Sequence, residues 1–297
     1  MGTSKSYEAP TTPQWGKLKG QVTRQARDPE PLPLPDGQPE PPEEPPIPPP
    51  TAPVPIPTQI NLPPDMARAT QGIRSVLGGF IGAGGGGGTF TGGAGGGGGA
   101  GGGGGTPHGA SPRAAQSAQR VARSLGGFFS NVGSGGAQAG FDDLGLGNLE
   151  GKSAKEVVIA LTDSLGGSDR TGDDVDARNA LSRLLKDLLK DTPTEKVREV
   201  LEGVPLGANF GIFLYHYFGF FLYEQFTRYF HDRLVARLGQ SKAEKYLKSK
   251  VLPTIQSLLK YKTQKYDVRR INWSGAQGRT LAQSIMMDTY AIFTGDR

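Results

Sequence analysis

Phe210-Gly211-Ile212-Phe213-Leu214-Tyr215-His216-Tyr217-Phe218-Gly219-Phe220-Phe221-Leu222-Tyr223 is the stretch that decides the fold. It is apolar and aromatic nearly all the way round a helix, which predicts the most buried element of a helical domain. It is about 14 residues long, contains His216 and Gly219, and runs into Glu224 and Arg228. That is too short, and too polar at its end, for a membrane span. Beyond Tyr223 the apolar positions narrow to Phe226, Tyr229, Phe230, Leu234 and Leu238, so one helix is expected from Ala208 to Leu238.

Helical signals continue on both sides. Ser153 with Glu156 three residues later forms a capping box, Val157, Val158, Leu161 and Leu165 follow at helical spacing, and Gly166-Gly167 ends the run. A second helix starts near Thr171 to Asp174, where its acids suit the positive helix end. Ala177, Leu181, Leu184, Leu185, Leu188 and Leu189 form its stripe, and Asp191-Thr192-Pro193 stops it. A short helix is expected from Thr194 to Leu201. Downstream of Leu238, one is expected from Ser241 to Tyr261, kinked or split at Pro253, and a last one from Gly275 to Phe293. No stretch alternates with a strand period. The fold class is therefore an all-α C-terminal domain of about five to six helices over residues 151–297.

The first half reads differently. Most of the 46 Gly and nearly all of the 24 Pro precede Gly151, and such sequence carries too little apolar area to offset the entropy of ordering it. Four regions are expected: a tip with a Trp-containing motif at 1–28, a Pro-rich polyproline II spacer at 29–64, a Gly-rich disordered region at 65–150, and the helical domain. The tip carries Gln14-Trp15-Gly16-Lys17-Leu18-Lys19, a tryptophan among lysines that suggests a docking motif. The Gly-rich region contains a weak repeat. Its copies are Gln71-Gly72-Ile73-Arg74-Ser75-Val76-Leu77-Gly78-Gly79-Phe80-Ile81 and Gln119-Arg120-Val121-Ala122-Arg123-Ser124-Leu125-Gly126-Gly127-Phe128-Phe129. Each suits a short amphipathic helix ended by glycine, too short to stand alone, that folds on a partner or on the C-terminal domain. Trp15, Leu77, Phe80, Leu125 and Phe128 are therefore the candidate partner-docking residues.

Little in the chain suggests catalysis. Without cysteine there is no disulfide framework, thiol nucleophile or Cys-based zinc site, which fits a reducing, cytoplasmic setting. His216 and His231 stand about four turns apart on one helix and cannot share a metal, and His108 lies in the linker. Asp173, Asp174 and Asp176 lack the spacing of a calcium loop. No nucleophile elbow, catalytic carboxylate pair or dinucleotide fingerprint appears, so the reading is a non-enzyme with no cofactor and no metal. The net charge of +5 gathers between Arg228 and Arg279. Lys262, Lys265, Arg269 and Arg270 mark a patch for an acidic partner or nucleic acid, or an ordinary solvated face.

The tip is the more pointed feature. Gly2 is small enough for removal of Met1, which exposes an α-amine with an unperturbed pKa of ~7.7–8.0. Met1-Gly2-Thr3-Ser4-Lys5-Ser6 also fits the pattern for myristoylation, a weak anchor by itself. The Met1-Gly2-Thr3-Ser4 start, the Pro-rich then Gly-rich layout and the segments ending in Leu-Gly-Gly-Phe resemble the QatB family. So do Leu149-Glu150-Gly151-Lys152-Ser153-Ala154, the run from Asp174 to Leu189, and Asp288-Thr289-Tyr290-Ala291-Ile292-Phe293-Thr294-Gly295. The resemblance implies a non-catalytic component of a four-gene bacterial anti-phage system. Its implied neighbours are a P-loop ATPase, a TatD-like nuclease and a QueC-like enzyme, QatC, which is the implied binder. It further implies Gly2 as the target of N-terminal deazapurine-type modification, with Thr3 and Ser4 read in the enzyme's pocket. A scaffold without modification, and a nucleic-acid sensor using the 242–270 patch, are the competing readings.

Overall fold

The computed structural model describes residues 13–27, 64–84, 112–167, 171–206, 209–259 and 268–294. They form ten α-helices: α1 (Pro13–Arg27), α2 (Pro64–Gly84), α3 (Pro112–Asp143), α4 (Ala154–Leu165), α5 (Gly172–Leu188), α6 (Val197–Gly203), α7 (Asn209–Leu238), α8 (Gln240–Tyr246), α9 (Leu252–Leu259) and α10 (Ala276–Thr294). Among the described residues there is no strand, and no helix is long and apolar enough to cross a membrane.

The expected boundaries hold closely downstream of residue 151. Ser153 caps α4, accepting from the Glu156 amide while the Glu156 carboxylate accepts from the Ser153 amide. Thr171 and Asp174 do the same for α5. The helix expected from Ser241 is split just before Pro253: a π-helical turn, Leu247–Val251, separates α8 from α9, and the Leu252 amide donates to the Leu247 carbonyl five residues back. A proline deprives the carbonyl four residues before it of its donor, and widening the preceding turn re-registers the bonds.

The helix α7 is the axis of the molecule. Thirty residues give it a length of about 45 Å. Its first half is buried almost all round, from Phe210 to Tyr223, with Phe226, Phe230 and Leu234 continuing one stripe. Helices α5, α8, α9, α10, α1 and α3 pack against it. Gly219 is where α9 comes closest: a Cβ there would overlap the Leu259 side chain and lie 3.1 Å from Ile255.

The largest departure from the sequence reading lies upstream. Residues 65–150 were expected to be disordered, with two short helices ended by glycine. Both repeats instead lie inside long helices, α2 of 21 residues and α3 of 32, which run straight through the Gly-Gly pairs. Their apolar faces belong to the same core as α7. Phe80 packs edge-on or tilted against Phe226, Tyr229 and Phe230, with ring centroids 5.6–5.9 Å apart. Phe129 does the same at the other end, 5.9 Å from Phe210 and 5.3 Å from Phe213. The glycines are seats rather than stops. A Cβ on Gly126 would overlap the Trp273 indole, and one on Gly79 would lie 3.0 Å from Leu18. Glycine weakens a helix by about 1 kcal/mol, a cost that burying a phenylalanine outweighs. The core therefore does not begin at residue 151. The Gly run between the repeats and the Pro-rich stretch 29–63 lie outside the described residues.

The helix α3 has one true interruption, at Gly136, where φ is +84°. Only glycine takes that conformation without strain. The amide of Ala137, which starts the next turn, donates to Glu202 on α6 at 2.9 Å, and Arg198 donates to the same oxygen at 2.9 Å. The Ala137 hydrogen bond and then Arg198 hold the Glu202 carboxyl below its ordinary range.

Phe80→Ala removes a fully buried ring from the α2–α7 contact. It should lower stability by about 3–5 kcal/mol, read as a shifted midpoint in urea unfolding. A change within about 0.5 kcal/mol would mean that α2 is not part of the cooperative core.

Candidate functional site

The candidate docking residues go inward. Leu77, Phe80 and Leu125 are fully buried and Phe128 is 1 % exposed, so all four serve the chain's own core and none is offered to a partner. Their amphipathic pattern reads the same whether the apolar face meets another protein or a helix of the same chain. Trp15 lies in α1, while Gly2, Thr3 and Ser4 lie outside the described residues. Of the basic patch, Lys262 and Lys265 also lie outside. Arg269 and Arg270 are exposed on a short 3-10 turn, Val268–Arg270, with the Arg269 stem against Gly133.

The helix α1 has a distinctive seat. It contributes two fully buried apolar residues, Leu18 and Val22, and packs on α2 and α7. The Gln25 side chain lies over Gly72 and Leu18 over Gly79, so α1 and α2 run antiparallel across a face with glycines seven residues apart. Burying Leu18 and Val22 stabilises this contact by about 3–6 kcal/mol, from which the ordering of a 15-residue helix must be subtracted. Two buried side chains are thus set against the cost of ordering the whole of α1. Gln21, Arg24, Gln25, Gln71 and Ser75 line the polar cleft beside it.

The acids at the start of α5 form a junction between helices. Asp174 accepts from Ser117 at 2.7 Å and from Arg120 at 3.3 Å, tying α3 to α5. Asp173 and Asp176 accept from Arg228 at 2.6 and 2.8 Å, tying α5 to α7. Arg228 also lies over the Tyr229 ring at 4.9 Å. Beside it, Arg183 pairs with Glu224 at 2.8 Å and covers Tyr223. Burial pushes the Asp176 carboxyl up to about 7, against the opposing pull of Arg228. Among the described residues no three His, Cys, Asp or Glu side chains are grouped to hold a metal ion.

A surface groove of about 410 Å³ opens between α5, α6 and α7. Leu184, Leu188, Val200, Val204, Ile212 and Phe213 form its walls, with Asp187, Asn209 and His216 as its polar groups. His216 is half-buried, and burial lowers its pKa while the nearby Asp187 charge opposes this, so it is neutral at pH 7. The Asn209 amide donates to the Gly203 carbonyl at 3.1 Å. The sequence marked His216 only as a packed or surface histidine. That Asp187 and Asn209 face it follows from how three helices cross.

The described residues thus make up an all-helical body with a groove on one side and an N-terminal helix packed on α2 and α7. The model of the QatB family, described as Qat anti-phage system associated protein QatB, matches residues 104–202. The matched segment spans α3, α4, α5 and nearly all of α6, about a third of the chain. No curated protein and no solved structure matches the chain.

Two outcomes test this geometry. Leu18→Asp should release α1 alone: amide exchange over 13–27 rises at least tenfold while α5 and α7 keep their protection. Uniform loss of protection would make α1 integral to the core. Asp176 has a folded pKa raised above its unfolded value, so its contribution to stability is full below about 4 and is lost as pH rises through about 7. Relative to Asp176→Asn, the wild type should therefore gain about 1–4 kcal/mol between pH 8 and pH 5, measured by denaturation at each pH. A constant difference would mean that Asp176 stays ionised throughout.

Proposed function

We propose that this chain is a non-catalytic anti-phage defence component. Its helical body docks a QueC-like enzyme, QatC, and the segment before α1 presents Gly2 to that enzyme's active site as the substrate of an N-terminal, deazapurine-type modification. The observation that carries the reading is the QatB-family match over residues 104–202, within a helical body. The P-loop ATPase and TatD-like nuclease of the same system are further partners in this reading.

The seat of α1 adds a physical reason. With α1 packed on α2 and α7, Pro13 is held on the body. About ten residues separate Gly2 from α1, so the tip reaches at most about 40 Å. A short tether of this kind raises the effective concentration of the tip at an enzyme docked on the body. On this reading Thr3 and Ser4 are read by the pocket, and the α-amine of Gly2, with an ordinary pKa of ~7.7–8.0, is the nucleophile.

The test is N-terminal peptide mass spectrometry on the protein purified from cells carrying the neighbouring genes. The expected outcome is a heterocycle-sized mass on Gly2 that disappears when the QueC-like gene is deleted. Gly2→Pro should abolish protection while the body stays folded. An unmodified Gly2 in a protein that still co-purifies with the enzyme, before and during infection, would replace the substrate reading with that of a scaffold.

A further inference from the structure

The groove between α5, α6 and α7 is not absorbed by any packing within the described chain, and its chemistry is specific enough to name an occupant. Its walls are aliphatic and aromatic, from Leu184 and Leu188 on one side to Ile212 and Phe213 on the other. A groove of about 410 Å³ is large enough for an aromatic or branched side chain and its neighbour. Asp187 is exposed and is the one charged residue in the lining. The Asn209 side chain, which donates one N–H to Gly203, and the neutral His216 ring each offer both a donor and an acceptor, so neither sets the sign of the mouth. Asp187 sets it, and favours a cationic, hydrogen-bond-donating group.

Leu206 supplies the second observation. It lies in the turn between Val204 and Asn209, both of which line the groove, and it is 61 % exposed. The other exposed large hydrophobics, Ile159 at 50 % and Val175 at 40 %, lie on α4 and α5. A small molecule seated in the groove would leave Leu206 in water. A partner that extends past the groove would cover it. An apolar pocket with a polar rim, and an exposed leucine in the adjoining turn, is the kind of arrangement that concentrates binding energy in protein interfaces.

We propose that this groove is the surface through which the body binds its protein partner. The partner inserts an apolar side chain between Leu184, Leu188, Ile212 and Phe213, sets a Lys or Arg beside it against Asp187, and covers Leu206. The proposal rests on the reading that the body docks a protein, and it names where and with what chemistry. Four of the groove residues, Leu184, Asp187, Leu188 and Val200, fall within the segment matched by the QatB family model.

The test uses the full chain expressed with its neighbouring genes. Leu206→Asp and Asp187→Lys change exposed positions and should leave the helical circular dichroism and the unfolding midpoint unchanged. Each should lower recovery of the co-purified QueC-like enzyme at least tenfold, while Ile159→Asp, at a comparably exposed leucine-sized position elsewhere, should not. If the enzyme co-purifies equally with both groove variants, the groove is overturned and the docking reading stands. A photo-crosslinking residue at position 206 covers the remaining case. If the enzyme does not co-purify with wild type, but position 206 crosslinks to the ATPase or nuclease of the system beside a Lys or Arg, the groove stands and the QueC-like partner falls. No crosslink to any of the three, with or without infection, overturns the groove.

Discussion

A helix that is apolar on every side must be covered on every side. The helix α7 is such a helix over its first half, and the rest of the fold follows from that requirement. The six other helices of residues 151–297 do not by themselves cover the whole of this rod of about 45 Å, whose buried side chains include Phe210, Tyr215, Tyr217, Phe218, Phe221 and Phe226. The missing cover comes from upstream. Phe80 on α2 closes over Phe226 and Phe230, and Phe129 on α3 closes over Phe210 and Phe213. These contacts draw segments far apart in sequence into one core.

The glycines of the helices work together with these aromatics. Gly126 under Trp273, Gly79 beside Leu18 and Gly219 under Leu259 each let a neighbouring side chain approach the helix axis. Each weakens its own helix slightly and is outweighed by the burial it allows. Polar contacts then fix the register. Arg228 between Asp173 and Asp176, and Asp174 between Ser117 and Arg120, link α3, α5 and α7 at one level. Arg123 reaches the Trp273 and Ser274 carbonyls, at 3.0 and 2.8 Å, and ties α3 to the segment that leads into α10. The desolvated Asp176 makes this junction costly to ionise, so its worth lies as much in specifying the arrangement as in net stability.

Much of this was legible in the residues. The capping boxes at Ser153 and Thr171, the stop at Asp191-Thr192-Pro193 and the apolar run from Phe210 locate α4 to α7 within a residue or two, because each signal is local. A signal for the upstream helices was present as well. Each of α1, α2 and α3 opens on a proline, the position a helix tolerates best, and Ile73, Val76, Leu77 and Phe80 fall at i, i+3, i+4 and i+7. The surrounding glycine and proline content hid it, since composition averages over the short stretches that matter. The Leu-Gly-Gly-Phe glycines read as stops because glycine in isolation ends helices more often than it seats a neighbour.

The sequence by itself determined the helical class, the element boundaries after residue 151 and the central place of the Phe210–Tyr223 run. Those depend on caps, turns and periodicity, which act over a few residues. Only the tertiary structure decided that the two repeats complete the core, that α1 rests in a glycine-lined seat, and that Asp187, Asn209 and His216 share a groove. Those depend on which faces meet across long stretches of chain. An amphipathic stripe states that a partner is needed, but the crossing of the helices determines which one it finds.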